Sequence, residues 1–219
     1  MTMEAVVPGL WASPPDGLPF DSSLSVRSFL LQRNDGNLLL YRGDAVVAVE
    51  QHQVDELGGI SRQYLNHRHE ASPSSDRISN VYGAPLLVHR DEAEAVAKTA
   101  VLGALFLQRH ELDGDFEVIP TPGHTAGATA YLWDSDAHRV LFTGDTIYFR
   151  DDQWSAAVLG SSDRESYLRS LELIRALDFD VLVPWVATEG GPYYAIVDEA
   201  ERRRRIDAIL MRLERGGEH

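Results

Sequence analysis

The order of the apolar segments constrains the fold most strongly, because short strand-like runs come first and strands mixed with helices follow. Residues 26–31, 38–41 and 45–49 are rich in β-branched and long apolar side chains, a composition typical of strands in a meander. Between the first two runs, Asn34-Asp35-Gly36-Asn37 supplies residues that tolerate positive φ. We therefore predict a hairpin at this turn.

From residue 86 onwards the pattern changes to an alternation of strands and helices. Strands are predicted at 86–88, 116–119, 129–133, 140–143 and 181–183, and helices at 91–109, 163–177 and 196–215. The chain contains no linker rich in proline, glycine or serine. We therefore predict one domain over residues 1–219, of mixed α/β (α+β) class, in which helices cover the sheets.

The charge of the chain argues against one class of partner. The 219 residues include 20 Lys and Arg against 34 Asp and Glu, a formal net charge of −14. Because nucleic-acid affinity depends on basic side chains that neutralise phosphates, we predict no nucleic-acid partner. Four adjacent arginines at 202–205 lie among acidic residues on a predicted helix, which favours a solvated face over an anion-binding site.

The sequence has no stretch typical of a secretory signal or of a membrane-spanning helix. Glu4 precedes the first apolar stretch, and no Lys or Arg does, so the start does not resemble a secretory signal. The longest strongly apolar run, 100–107, is far shorter than the roughly 18 residues that a membrane-spanning helix needs. We predict a cytoplasmic protein that does not enter a membrane.

Two of the eight histidines share a short spacing, in His67-Arg68-His69. This sequence follows an extended segment predicted at 63–67. Residues two apart on a strand project to the same side, so both imidazoles can reach one ion. The chain has no cysteine, so a bound metal must be held by histidine nitrogen and carboxylate oxygen.

A third histidine lies in a sharp turn, Thr121-Pro122-Gly123-His124-Thr125-Ala126-Gly127, where proline and glycine reverse the chain after a strand. Further along, an apolar strand ends in Thr143-Gly144-Asp145. Each stretch alone has a structural interpretation, as a plain turn or as a carboxylate that caps one.

Taken together, the three stretches resemble the metallo-β-lactamase superfamily of hydrolases, including its glyoxalase II-like members. The family carries a His-x-His-x-Asp-His motif, a later Pro-Gly-His-Thr-x-Gly turn and a Gly-Asp after a strand, in the order found here. The resemblance covers about residues 26–183 and implies an αββα four-layer sandwich with the site at one sheet edge. It also implies that His67, His69, His124 and Asp145 are metal ligands.

The departures from the family pattern fall on one side of the site. The Asp and His of the second metal site are replaced by Ala71 and Ser72, and the late strand leads into Pro184-Trp185-Val186-Ala187 without the histidine found there in the family. The first site remains complete. We therefore predict one zinc ion, with manganese or iron as alternatives, in place of two metals.

Three imidazoles with an open fourth position form an arrangement in which Zn²⁺ lowers the pKa of a bound water to about 7 and makes it a nucleophile. Asp145 is the candidate catalytic residue, either as a fourth ligand or as the group that orients the water. Glu70 and Asp76 lie in the following polar loop, where either is a candidate general base through water.

Six aromatic residues follow the Gly-Asp strand and the late strand, and they are expected either to line a substrate pocket or to pack in the core. They are Tyr148, Phe149, Trp154, Trp185, Tyr193 and Tyr194.

Three functional hypotheses follow from these residues. The first is a hydrolase with one metal that acts on an ester, lactone, thioester or similar bond of a small-molecule substrate. The second is a catalytically inactive protein of the same fold, retained for binding or interaction. The third is oxidoreductase chemistry at an iron site built from histidine and carboxylate.

Overall fold

The structure is a computed structural model that describes residues 2–49 and 51–217. The chain divides into two compact units, residues 1–107 and 108–219. The prediction of a single domain over residues 1–219 stays a prediction. Within the described ranges, none of the helices combines the length and the apolar character that a bilayer span requires.

The N-terminal unit is built on a seven-stranded sheet. Its elements are β1 (Glu4–Val7), β2 (Leu10–Ala12), β3 (Asp16–Leu18), β4 (Asp21–Val26), β5 (Phe29–Leu31), β6 (Leu38–Leu40), α1 (Asp44–Val49), α2 (Gln51–Glu56), β7 (Arg62–Tyr64), α3 (Ser74–Tyr82), β8 (Leu86–His89), α4 (Ala93–Val96) and β9 (Ala104–Phe106), with 3-10 turns at Arg68–Glu70 and Arg90–Glu92. The strand order is β1-β2-β5-β6-β7-β8-β9. In this sheet the pairs β1-β2, β2-β5 and β5-β6 are antiparallel, and the pairs β6-β7, β7-β8 and β8-β9 are parallel. Strands β3 and β4 pair with each other as an antiparallel hairpin.

The C-terminal unit is built on a six-stranded sheet. Its elements are β10 (His110–Leu112), β11 (Phe116–Pro120), β12 (Thr129–Asp134), β13 (Arg139–Gly144), β14 (Tyr148–Arg150), β15 (Gln153–Ser155), α5 (Arg164–Ala176), β16 (Val181–Pro184), β17 (Val186–Thr188), β18 (Ala195–Ile196) and α6 (Glu199–Glu214). The strand order is β10-β11-β12-β13-β16-β18. Strand β14 pairs separately with β15 and β17.

Each unit buries its own apolar core. In the N-terminal unit, Leu30, Leu39 and Ile78 are fully buried in one cluster that joins the sheet to α3. In the C-terminal unit, α5 and α6 pack on the six-stranded sheet, and Leu171 and Ile209 belong to the buried cluster between them. Apolar burial of this kind supplies most of the stability of such units.

Several sequence predictions are confirmed. The turn at Gly36 joins β5 to β6 as a hairpin, with φ of +99° at the glycine. The predicted helix 163–177 is α5, and Asp163 caps it by accepting a hydrogen bond from the Ser166 amide at 2.9 Å. The predicted helix 196–215 is α6, which begins at Glu199.

Two predictions of local structure are wrong. Residues 45–49 belong to helix α1 and not to a strand, because Val46 is buried in the cluster formed with α3, and this packing outweighs its β propensity. The helix predicted at 91–109 is a short 3-10 turn followed by α4, which ends at Val96. The chain then passes close to Pro85, since a Cβ at Gly103 would lie 2.4 Å from the proline Cβ. Strand β9 follows and pairs with β8.

Candidate metal centre

The turn after β7 carries the first two predicted ligands. The strand ends at Tyr64, so the extended segment predicted to run through His67 is three residues too long. His67 instead precedes the 3-10 turn Arg68–Glu70. The rings of His67 and His69 lie edge to face with centroids 4.8 Å apart, so the two imidazoles are neighbours as predicted. His67 is buried, whereas His69 is exposed.

Two buried carboxylates hold this turn. Glu70 accepts a hydrogen bond from the Asn66 amide at 2.9 Å, and its second oxygen lies 2.9 Å from His67 Nδ1. Glu92 accepts from the Arg68 amide at 2.9 Å and from the guanidinium at 2.7 and 3.1 Å. A buried carboxylate is stable only when such donors satisfy it, so these contacts fix the backbone of the turn.

The third predicted ligand lies between β11 and β12. Gly123 has φ of +146°, and a Cβ there would lie 2.4 Å from the Cα of Tyr167, so only glycine fits against α5 at this point. The next residue, His124, is 1% exposed, and its Nδ1 lies 2.6 Å from the carbonyl oxygen of Ala157. Because a carbonyl oxygen only accepts, Nδ1 carries the proton and the lone pair lies on Nε2.

The predicted carboxylate, Asp145, lies beside His124. It follows Gly144, the last residue of β13, and its side chain is 13% exposed. Asp145 Oδ2 is 3.6 Å from His124 Nε2. This separation is longer than a hydrogen bond, and it leaves the carboxylate facing the nitrogen that has the lone pair.

Tyr167 organises this half of the centre, although no pattern in the sequence predicts that role. The hydroxyl lies 2.9 Å from the carbonyl oxygen of Asp145 and 2.8 Å from that of Thr146, and it accepts a hydrogen bond from the Ala157 amide at 3.0 Å. Burial, reinforced by the negative charge of Asp145, raises the pKa of Tyr167 well above its usual value. The hydroxyl therefore stays protonated and can donate to a carbonyl.

The structure brings three of the four predicted ligands together. One ring nitrogen from each of His67, His69 and His124 lies within 4.8 Å of the others. Asp145 lies near one of these histidines, with its Oδ2 3.6 Å from His124 Nε2. In the described part of the chain, the group of potential ligand atoms that lie close to one another consists of the three histidine nitrogens. Neutral imidazoles suit zinc and other first-row transition metals, so the donor set fits the predicted ion.

The positions of the missing family ligands have other roles here. Ala71 follows the 3-10 turn, and its side chain has no atom that could bind a metal. The Ser72 hydroxyl donates to Asp44 Oδ1 at 2.7 Å and accepts from the Ser74 amide at 3.2 Å. Trp185, which follows β16, is buried.

The two candidate bases, predicted in a polar loop, lie in the 3-10 turn (Glu70) and in the first turn of α3 (Asp76), and both have hydrogen-bond partners. Glu70 binds Asn66 and His67, as described above. Asp76 Oδ1 accepts a hydrogen bond from the Val101 amide at 2.8 Å. Both carboxylates thus accept hydrogen bonds from protein groups, and a role as general base stays a prediction for each.

Of the six aromatic residues that were expected to line a pocket or to pack in the core, Phe149 and Trp154 pack in the core. Phe149 and Trp154 are buried and stacked, with ring centroids 5.8 Å apart, inside the cluster beneath α5 and α6. Tyr193 and Tyr194 are half-buried and contact each other edge to face at 5.2 Å.

Comparison with known proteins identifies the class. The family model described as the metallo-beta-lactamase superfamily matches residues 37–184, so the chain belongs to this superfamily of metallo-hydrolases. Among solved structures, a metallo-beta-lactamase from Pontibacter korlensis superposes with a TM-score of 0.72 at 17% identity, covering 97% of this chain and 98% of that chain. A metallo-beta-lactamase family protein from Thermus thermophilus gives 0.66 at 20% identity, covering 96% and 81%. These likenesses confirm the predicted fold class, the αββα sandwich of the metallo-β-lactamase type.

Curated relatives match over a shorter stretch. A hydroxyacylglutathione hydrolase of Pseudomonas putida is 32% identical over 103 residues, which are 47% of this chain and 33% of the relative. Another protein of that name, from Cupriavidus metallidurans, is 34% identical over 115 residues, 50% of this chain and 40% of the relative. The chain thus matches between a third and two fifths of the length of these relatives.

Proposed function

We propose that this protein is a hydrolase that uses one metal ion, held by His67, His69 and His124, to cleave a thioester, ester or lactone of a small molecule. The observation that carries the proposal is the convergence of three ring nitrogens within 4.8 Å. The similarity to hydroxyacylglutathione hydrolases over about half of the chain supports a thioester as the first substrate class to examine.

Zinc is the metal that we propose, with manganese or iron as alternatives. When bound, a divalent ion at three imidazoles lowers the pKa of a water ligand and polarises a carbonyl group. The residues of the chain supply the rest. His67 and His124 have acceptors at Nδ1, so both present Nε2 as the ligand atom.

Asp145 is the residue that we propose to orient the attacking water and accept its proton. Its Oδ2 lies 3.6 Å from His124 Nε2, next to the ligand atom. A carboxylate in this position can hydrogen-bond a water molecule at the centre without filling a coordination position. Tyr167 fixes the backbone carbonyl of the same residue.

The experiment measures metal content and turnover on the same preparation. Purified protein is loaded with zinc and dialysed, and its metal is quantified by mass spectrometry. It is then assayed on a hydroxyacyl-glutathione thioester, an aryl ester and a lactone. We expect about one equivalent of zinc, with turnover that a chelator abolishes and added zinc restores. His124→Ala is expected to lose both zinc and turnover.

The matched control is His52→Ala, which changes an exposed histidine of α2 and is expected to keep both. Two equivalents of zinc, no zinc, or turnover that resists chelation would contradict the proposal.

A second candidate is a protein of this fold that binds ligands without turnover. The replacement of two family ligands by Ala71 and Ser72, with the Ser72 hydroxyl bound to Asp44, favours it. Stoichiometric zinc without hydrolysis of any substrate in the panel would support this candidate over the hydrolase.

A further inference from the structure

Glu70 is a buried carboxylate that neither the family motif nor the proposed chemistry explains. Its side chain is fully buried, and burying a charge is costly unless hydrogen-bond donors satisfy it. Glu70 is the last residue of the 3-10 turn that begins directly after His67, and from this position its side chain reaches back to the histidine. The result is a contact of 2.9 Å between Glu70 Oε1 and His67 Nδ1.

This contact determines which nitrogen of His67 carries the proton. An ionised carboxylate only accepts hydrogen bonds, and Asn66 Oδ1, a second acceptor, lies 3.1 Å from the same Nδ1. Two acceptors at one ring nitrogen require a proton there. The lone pair of the neutral ring is then on Nε2, the atom that a metal must bind.

We infer that Glu70 is a positioning residue for the metal centre, which fixes the tautomer and orientation of His67 and strengthens it as a ligand. The inference rests on the proposed function in that it takes His67 as a ligand. A carboxylate behind a ligating histidine raises the basicity of the ring. His124 is held differently, since the acceptor at its Nδ1 is the neutral carbonyl of Ala157.

Glutamine at position 70 would not satisfy both of the donors that Glu70 satisfies. The two carboxylate oxygens of Glu70 serve two different donors, the Asn66 amide at 2.9 Å and His67 Nδ1–H. Glutamine has nearly the same shape but a single oxygen, so one donor would face an NH₂ group. If the oxygen stays on the backbone amide, the NH₂ group faces His67 Nδ1 and only Asn66 Oδ1 remains to accept the Nδ1 proton, so the tautomer with the proton on Nε2 gains population.

Glu92 provides a matched control, because it belongs to the second 3-10 turn, Arg90–Glu92, and binds the turn that contains Glu70. It is also a buried carboxylate, and it accepts from a backbone amide, that of Arg68, and from a side chain. These hydrogen bonds go to Arg68, the residue between His67 and His69. Glu92→Gln therefore makes the same chemical change at a second carboxylate that supports this turn, and it leaves the acceptors at His67 Nδ1 in place.

The test has two readouts. Nitrogen-15 NMR of the metal-free protein reports the tautomer of His67, and competition with a chromophoric chelator gives the zinc dissociation constant. We expect the wild type to carry the proton on Nδ1. Glu70→Gln is expected to lose that form or populate both, and to weaken zinc binding about 10- to 100-fold. Glu92→Gln is expected to lower the unfolding temperature and to retain the Nδ1–H form.

Several outcomes would overturn the inference. One is a wild-type His67 protonated on Nε2, which needs no variant and so holds even if Glu70→Gln fails to fold. Others are a Glu70→Gln variant with the wild-type tautomer and zinc affinity, or a Glu92→Gln variant that shifts the tautomer equally. A wild type that binds no zinc would refute the proposed function, whereas the tautomer of its metal-free form would still decide the role of Glu70.

Discussion

Removal of one hydroxyl group, in Tyr167→Phe, is expected to destabilise the fold measurably. The buried hydroxyl can make one donated hydrogen bond, to the carbonyl of Asp145 or Thr146, and one accepted from the Ala157 amide. Two buried hydrogen bonds at about 1 to 1.5 kcal/mol each give a loss of about 2 to 3 kcal/mol. For a chain of this size, that corresponds to a decrease of about 5 to 10 °C in the unfolding temperature.

The assay is thermal unfolding followed by circular dichroism, with urea unfolding to give the free energy. Tyr82→Phe is the control, because its hydroxyl makes an exposed hydrogen bond of 2.7 Å to Asp55, and we expect a loss below about 1 kcal/mol. Equal effects of the two variants, or a Tyr167→Phe protein as stable as the wild type, would refute the reasoning from buried hydrogen bonds.

Two further predictions concern backbone space and pH. Gly123→Ala is expected to prevent stable folding, since the new Cβ would lie 2.4 Å from the Tyr167 Cα. The control is Gly114→Ala, where φ is +81° and no atom lies within 4 Å of the new Cβ, and we expect it to cost only about 1 to 2 kcal/mol of stability. Soluble yield and unfolding temperature compare the two variants, and a stable Gly123→Ala protein would contradict the close approach of α5. Hydrogen bonds from Arg204 and then Arg205 lower the pKa of Glu201 from 4.5 to about 2. Its contribution to stability is therefore present above pH 4.5 and lost as the pH falls towards 2, so Glu201→Gln should unfold at a lower temperature than wild type at pH 7, with a difference that shrinks in acid. A difference independent of pH would show that the ion pairs have no effect.

The local parts of the candidate site could be predicted from the sequence. The Pro-Gly-His turn requires a glycine next to His124, and the structure explains that requirement by the approach of α5. The pairing of His67 with His69 was also predicted, although the rings meet in a 3-10 turn and not on a strand. The turn motif and the histidine spacing lie within a few neighbouring residues, which is the range over which sequence patterns are informative. The approach of α5 to Gly123 is a long-range contact and was not predicted.

Two of the residues that support the centre, Glu92 and Tyr167, could not be predicted, because their partners are distant in sequence. Glu92 lies 24 residues from Arg68, and Tyr167 lies 22 residues from Asp145. The same reason accounts for the errors in the fold. Val46 lies in a sequence typical of a strand, and packing against α3 places it in a helix.

The hydrogen bond between Ser72 and Asp44 has a consequence for protein engineering. Restoring the second metal site of the family would require a histidine after β16 as well as Ala71→Asp and Ser72→His, and the last of these changes would delete the serine hydroxyl. Asp44 would keep its ion pair with Arg42, at 2.8 Å, but would lose the hydrogen bond that ties it to the loop before α3. The Ser74 amide would lose its acceptor as well. A successful redesign must therefore include compensating changes around Asp44.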